Sequence, residues 1–133
     1  MNKDLEIWQF AAERLKRGES VMLLVVAESA GSSPGRPGFK MIVARDGELA
    51  GSVGGGVMEV RLVELAKLKI KNEKLKIESE IVEQVHRKNA PHASGMICSG
   101  RQTVIFYRLK PENLTTVRQI IRTLKKRQSA VFR

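Results

Sequence analysis

Three consecutive glycines separate a strand-like segment from a helix-like segment in the range Gly51 to Glu59, which reads GSVGGGVME. Gly has no Cβ, so this backbone can adopt positive φ and lie directly against a ligand. The first N–H groups of the following helix lack acceptors within the helix and attract anions. The spacing is neither the G-x-G-x-x-G of dinucleotide sites nor a GK[ST] P-loop. The pattern predicts an anion-binding turn, with tight packing of helix on strand as the alternative.

A second glycine-rich loop lies upstream, from Gly31 to Met41, and reads GSSPGRPGFKM. It adds the cation Arg36 and the hydroxyls of Ser32 and Ser33, and its prolines restrict the backbone. Ordering two such loops costs backbone entropy. Together they indicate a binding site, with phosphate as the natural ligand.

Asp46 and Gly47 form a strong hairpin signal between two strand-like segments, and the ribbon would bring the two glycine loops near one another. Hydrophobic periodicity predicts the other elements. The predicted helices are Asp4–Lys16, Val57–Lys71 and Pro111–Arg127, and the predicted strands are Val21–Glu28, Phe39–Ala44, Glu48–Ser52, Leu75–Val85 and Thr103–Leu109. We therefore expect one compact α/β domain over residues 1–133, with flanking helices, a mixed sheet and a frayed tail at 129–133.

The chain is strongly basic, with 24 Lys and Arg against 14 Asp and Glu and a formal net charge of +10. Much of this excess falls in Arg61–Lys76 and Arg118–Arg127, where basic residues alternate with an apolar stripe as on a solvated helix face. Aromatic residues are only 5% of the chain, and no RNA-binding signature is present. The charge therefore favours an anionic ligand or an acidic partner protein over nucleic acid, and a charge-rich thermophile surface is a further interpretation.

The N-terminus has no apolar signal core, and the single cysteine excludes an internal disulfide, so we expect a cytoplasmic protein. The longest apolar run, Val21–Ala27, is far shorter than the roughly 20 residues of a membrane-spanning helix. We expect no membrane association.

Three potential metal ligands, His86, His92 and Cys98, fall in one short stretch. Their spacing does not match the paired ligands of a zinc site. We expect the histidines to lie in a loop over His86–Ser94. Cys98 is interpreted either as a small buried residue or as a thiol that contacts a cofactor.

Taken together, the motifs resemble the xanthine dehydrogenase accessory proteins, the XdhC and CoxI group. Their hallmark is a GS[ST]P…RPG.KM stretch followed by a GS.GGG.E stretch, matched here by Gly31 to Met41 and by Gly51 to Glu59. A third family element, a glycine motif beside a cysteine, is matched by Gly95 to Arg101, which reads GMICSGR. The resemblance covers roughly residues 5 to 109.

This resemblance implies a factor that binds molybdenum cofactor (molybdopterin) and helps to mature or insert it into a molybdoenzyme of the xanthine dehydrogenase type. It also implies a homodimer or a separately encoded Rossmann-domain partner, because long members continue into such a domain and this sequence stops at Arg133. Three positions depart from the family pattern. Val57 stands where many members have Cys, Gly35 stands where a second basic residue is frequent, and Ser99 interrupts a frequent CGG.

The predicted cofactor-binding residues are Gly31, Ser32, Ser33, Arg36, Lys40, Ser52, Gly54, Gly55, Gly56, Glu59 and Cys98. Glu59 is expected to cap backbone amides at the helix start, or else to act as a base. No nucleophile has a base at recognisable spacing, which argues against an enzyme. The alternatives are a subunit that binds a phosphorylated metabolite or nucleotide through the same loops, and a scaffold with basic helices.

Overall fold

The computed structural model describes residues 3–31, 36–72, 79–88 and 97–131. The elements in chain order are α1 (Lys3–Lys16), β1 (Val21–Gly31), β2 (Lys40–Ala44), β3 (Leu49–Gly51), α2 (Gly56–Lys71), β4 (Ser79–Lys88), β5 (Ile97–Leu109), a 3₁₀ turn (Pro111–Asn113) and α3 (Leu114–Val131). The predicted α/β class, the hairpin and the flanking helices are confirmed. None of the described helices is both long and apolar enough to cross a membrane.

The described strands form a five-stranded sheet in the order β3-β2-β1-β5-β4. Every neighbouring pair is antiparallel, so the expected mixed sheet is wrong. The sequence pattern identified strands and one hairpin, but it carries no information on the direction of β5 beside β1. That pairing is set by tertiary packing. β1 also contains a bulge at Ala27, where the register with β5 shifts.

Each face of the sheet is covered by its own helices. On one face α2 packs on a core formed by Met22, Leu24, Val26, Met41, Val43, Val53, Leu62, Ala66, Ile70, Val104 and Phe106. On the opposite face α1 and α3 pack on a core formed by Ile7, Trp8, Ala11, Leu15, Val21, Ile42, Ala44, Leu109 and Val117. The alternation of Met41 and Val43 with Ile42 and Ala44 follows the period of two expected of a strand buried on both faces.

Several element bounds differ from those predicted. β4 extends to Lys88, so His86 lies in a strand and not in the predicted loop. β5 begins at Ile97, which places Cys98 within that strand. Glycine and serine are weak strand formers, and pairing with β1 and β4 overrides this preference. α3 continues to Val131, past the expected start of fraying. His92, Gly95 and the predicted strand start at Leu75 lie outside the described residues.

A buried arginine ties α1 to the hairpin. Arg14 is 6% exposed, and its guanidinium contacts the carboxylates of Glu19 at 3.5 Å, Asp46 at 2.9 Å and Glu48. The hydrogen bond that Arg14 donates to Asp46, together with the nearby negative charges, outweighs burial and raises the pKa of Arg14. The guanidinium therefore stays charged and holds the Asp46 turn against the helix.

Candidate functional site

The triple-glycine loop is folded around the carboxylate of Glu59. Its Oε1 accepts hydrogen bonds from Ser52 Oγ at 2.5 Å, from Val53 N at 3.0 Å and from Gly55 N at 3.0 Å. Ser52 Oγ in turn accepts from Gly54 N at 3.1 Å. The expected capping role of Glu59 therefore matches the geometry. These amides serve an internal carboxylate, so they are not the donors that an external phosphate would use.

Three glycines of this loop, Gly51, Gly54 and Gly55, have positive φ, and the reasons differ between Gly51 and Gly55. Gly51 has φ +84°, and a Cβ there would lie 2.7 Å from Ile7 Cδ1 and closer still to the Lys40 carbonyl oxygen. Gly55 has φ +79° and ψ −176°, a region that only glycine adopts readily, but a Cβ there would meet nothing within 4 Å. Gly51 is thus required for packing, whereas Gly55 leaves an open surface beside the start of α2.

Gln102 connects this loop to the centre of the sheet. It is 1% exposed, and its Nε2 donates to the carbonyl oxygen of Val53 at 2.7 Å. Sequence reasoning missed this residue. A signal was present, because Gln102 alternates with Val104 and Phe106, which places a polar side chain on the buried face of β5. A buried amide in that position needs a hydrogen-bond partner, and the loop supplies one.

The first and third glycine motifs meet in the sheet itself. Gly31, the last residue of β1, pairs with Gly100 of β5. Ser29, two residues before Gly31 on β1, pairs with Gln102 of β5. Gln102 is the residue that is hydrogen-bonded to the triple-glycine loop. Gly31 of the first motif, Gly100 of the third and Val53 of the triple-glycine loop therefore lie at the same end of the sheet.

A cavity of about 350 Å³ opens at this end of the sheet. Its lining consists of Ala27, Glu28, Ser29, Pro37, Arg101 and Thr103. Arg101 and Thr103 alternate with Gln102 along β5, so their side chains extend from the face opposite α2. Arg101 also contacts Glu83 of β4, with 2.6 Å between Nη2 and Oε1. The cavity thus combines hydroxyls with a cation already paired to a carboxylate.

Part of the chain that contains these motifs matches a known protein family. Residues 14–79, about half of the chain, match the model of the XdhC and CoxI family. This segment belongs to the XdhC and CoxI family. The match includes both long glycine motifs and ends before the third, so the link to Gly100 comes from the strand pairing.

The whole fold is also similar to a solved structure. A crystal structure of a xanthine dehydrogenase from Bacillus halodurans superposes with a TM-score of 0.66 at 17% identity, over 95% of this chain and 36% of that one. At this identity the likeness concerns the fold. The chain therefore spans little more than a third of that protein. No curated protein sequence matches the chain.

The remaining predicted site residues of the XdhC and CoxI domain are not all brought together. Lys40 Nζ contacts Asp4 of α1 at 3.3 Å, and Lys40 alternates with Met41, so its ammonium lies on the α1 face and not beside Glu59. Arg36 is exposed in a turn closed by a hydrogen bond from Phe39 N to its carbonyl oxygen at 3.0 Å.

Of the other predicted site residues, some lie within the described residues and some do not. Gly56 begins α2, and Cys98 pairs with Arg87 across β4 and β5. Ser32 and Ser33 lie outside the described residues. Among the residues that the structure describes, no three His, Cys, Asp or Glu side chains converge to hold a metal ion.

Proposed function

We propose that this protein is an accessory factor for a molybdoenzyme of the xanthine dehydrogenase type and that it binds molybdenum cofactor at the end of the sheet where the three glycine motifs meet. The convergence of Gly31, Gly100 and the Val53 loop is the observation that carries the proposal. Membership of residues 14–79 in the XdhC and CoxI family supports the association with such enzymes.

The residues at this end fit a flat, polar ligand. The open surface at Gly55 lets a ring approach the main chain, because no atom would contact a Cβ placed there within 4 Å. The amides of Val53 and Gly55 are already used by Glu59, so the ligand phosphate takes its charge partner from the exposed cation Arg36. Cys98, in β5 beside Gly100, is the only thiol in the chain.

Binding and release are the whole of the proposed activity. When bound, the cofactor supplies a molybdenum dithiolene centre whose redox chemistry belongs to the client enzyme. The protein holds the pterin against the glycine backbone, and its Glu59 carboxylate keeps the loop in the required shape through three hydrogen bonds. In this proposal Glu59 positions the loop. A second copy or a Rossmann-domain partner completes the proposed assembly.

The test is stoichiometric binding of molybdenum cofactor under anaerobic conditions, measured as co-elution of pterin and molybdenum with the purified protein. We expect binding by the wild type and loss in Arg36→Ala and Gly55→Ala. Gly18→Ala is the matched control, because Gly18 also has positive φ and open space around its Cβ position but precedes β1, at the opposite end of that strand. Cys98→Ser tests whether the Cys98 thiol contributes to binding of the cofactor.

Equal binding by Gly55→Ala and wild type would contradict the proposed site. Absence of binding by a folded wild-type protein would contradict the proposed ligand. The second candidate is then a phosphorylated metabolite or nucleotide bound in the cavity, where Ser29 and Thr103 offer hydroxyls and Arg101 would have to exchange Glu83 for the phosphate beside Glu28. Calorimetric titration with nucleotides would distinguish the two, and Thr103→Val would weaken only binding in the cavity.

A further inference from the structure

We propose that a second, smaller cavity, beside the last turn of α2, binds a small oxyanion of the phosphate class between Arg45 and Arg108. This cavity lies at the start of β1, whereas the proposed cofactor site lies at its end. β1 spans 11 residues, so the two sites are roughly 30 Å apart. The inference therefore stands whether or not the proposed function is correct.

The cavity is small and is built from several parts of the fold. Its volume is about 160 Å³, below the roughly 300–1,000 Å³ that is typical of pockets for larger organic ligands. The turn between α1 and β1, the end of β2, the last turn of α2 and β5 contribute its lining, which consists of Gly18, Glu19, Ser20, Arg45, Ile70 and Arg108. A space of this size suits a small ion.

Arg108 brings a buried donor to this cavity. Its Nη2 donates to the carbonyl oxygen of Lys69 in the last turn of α2. Its Nε is buried and has no hydrogen-bond partner among the described residues. A buried donor without an acceptor is costly, more so when the donor belongs to a charged group, and native proteins satisfy nearly all such groups. An oxyanion in the cavity would supply the acceptor that Nε requires.

The positive charge of the two arginines is not neutralised by nearby carboxylates. Within the part of the chain that the structure describes, neither Arg45 nor Arg108 forms an ion pair. Glu19 lines the cavity, but its carboxylate contacts Arg14 at 3.5 Å, and Asp46, which follows Arg45, contacts the same guanidinium at 2.9 Å. Guanidinium groups match the geometry of phosphate oxygens.

Two further features bear on the choice of ligand. The carbonyl end of α2 disfavours an anion, but Arg108 already donates to one of its carbonyl oxygens and offsets this effect. The hydroxyl of Ser20 offers a third donor in the lining. Donors from three separate segments of the chain suit the tetrahedral oxygens of phosphate better than a planar carboxylate.

The first experiment titrates the full chain with inorganic phosphate by calorimetry, with the ionic strength held constant by sodium chloride. We expect saturable binding by the wild type and a dissociation constant raised by about tenfold or more in Arg45→Gln, because a charge-assisted hydrogen bond is lost. Arg45 is exposed, so this change should leave the fold intact. Arg61→Gln is the matched control, since Arg61 is an equally exposed arginine in the first half of α2. It should bind phosphate as the wild type does.

Arg108 is followed in the wild type by nuclear magnetic resonance, because replacing it would also remove its hydrogen bond to α2. Its Nε–H signal should shift with phosphate and reach saturation over the same concentrations as the calorimetric signal. A wild type that does not bind phosphate, or an Arg45→Gln variant that binds it equally well, would overturn the proposal. Binding that Thr103→Val weakens and Arg45→Gln leaves unchanged would also overturn it, because the phosphate would then occupy the cavity at the other end of the sheet.

Discussion

Gly51 and Gly55 both have positive φ, but the two residues have different structural roles. The sequence presents both as members of one glycine motif, and it cannot distinguish them. The structure does, because Gly51 is pressed against Lys40 and Ile7 whereas Gly55 faces open space. Gly51 is needed because a larger residue would not fit, so it contributes to the stability of the fold. Gly55 is needed only for its positive φ, and the space around it leaves room for a ligand.

This distinction predicts unequal effects of alanine. Gly51→Ala should lower the free energy of unfolding by more than about 3 kcal/mol, because backbone strain is added to overlap with a carbonyl oxygen. Gly55→Ala should cost about 1–3 kcal/mol from strain alone. Urea denaturation of both variants measures the difference. Equal losses would mean that the overlap at Gly51 is relieved by movement of β2.

Glu59 is the second residue whose role can be tested by stability. Glu59→Ala removes the acceptor of two backbone amides and one hydroxyl, so we expect a loss of about 1–3 kcal/mol in the free energy of unfolding. Glu59→Gln keeps an oxygen acceptor and should lose less. Glu64→Ala, on the same helix but in an exposed pair with Lys67, should be nearly neutral. A fully stable Glu59→Ala protein would contradict the capping role.

At the scale of elements, the positions of the helices and strands follow from the sequence. The directions of the strands relative to one another do not. The three helices and five strands of the described residues were all predicted, because periodicity of apolar residues reports local structure, although β5 begins at Ile97 and not at Thr103. The sheet was predicted as mixed, since nothing local determines that β5 runs antiparallel to β1. Likewise Gln102 and Arg14 act between elements, so their partners Val53, Asp46 and Glu48 could not be read from sequence spacing.

The contact between α1 and the hairpin predicts a dependence on pH. Hydrogen bonds from the backbone amide of Glu48 and from Arg14 lower the pKa of Asp46 below its ordinary value of 3.8. Its contribution is therefore complete above about pH 4 and is lost as the pH falls through the lowered pKa. Asp46→Asn should be less stable than wild type at neutral pH, and the difference should shrink below about pH 4.

Thermal unfolding of both proteins between pH 2 and pH 7 measures this difference. Glu13→Gln is the control, because Glu13 forms an exposed pair with Arg17 within α1 and does not reach the hairpin. A difference between Asp46→Asn and wild type that stays constant down to pH 2 would contradict the lowered pKa.

The whole molecule combines an XdhC and CoxI segment with a strongly basic surface. α3 carries Arg118, Arg122, Lys125, Lys126 and Arg127, and all five are exposed. This agrees with the prediction of a solvated helix face, although the helix also packs against α1 through Val117. The sequence could therefore indicate where the charge lies. It could not indicate how the three motifs converge, because that depends on the long-range pairing of β1 with β5.

The basic surface predicts weak binding of nucleic acid without sequence preference. We expect unrelated DNA duplexes to bind with equal affinity at about 50 mM salt, and this binding to be lost by about 200 mM salt as counterions compete. Fluorescence anisotropy with two labelled duplexes measures both properties. Arg118→Gln with Arg122→Gln should lower the slope of affinity against salt. A marked preference for one duplex would contradict the interpretation as a solvated face.

The pairing of Gly31 with Gly100 has a consequence for how the protein is made. β1 belongs to the first quarter of the chain and the paired part of β5 to the last, so this closure spans most of the sequence and is slow compared with local contacts. During synthesis α1, β1, the hairpin and α2 emerge before β5, the second neighbour of β1 in the sheet, exists. A ligand held where the motifs meet can therefore bind only a chain that has finished folding, and ligand occupancy marks that completion.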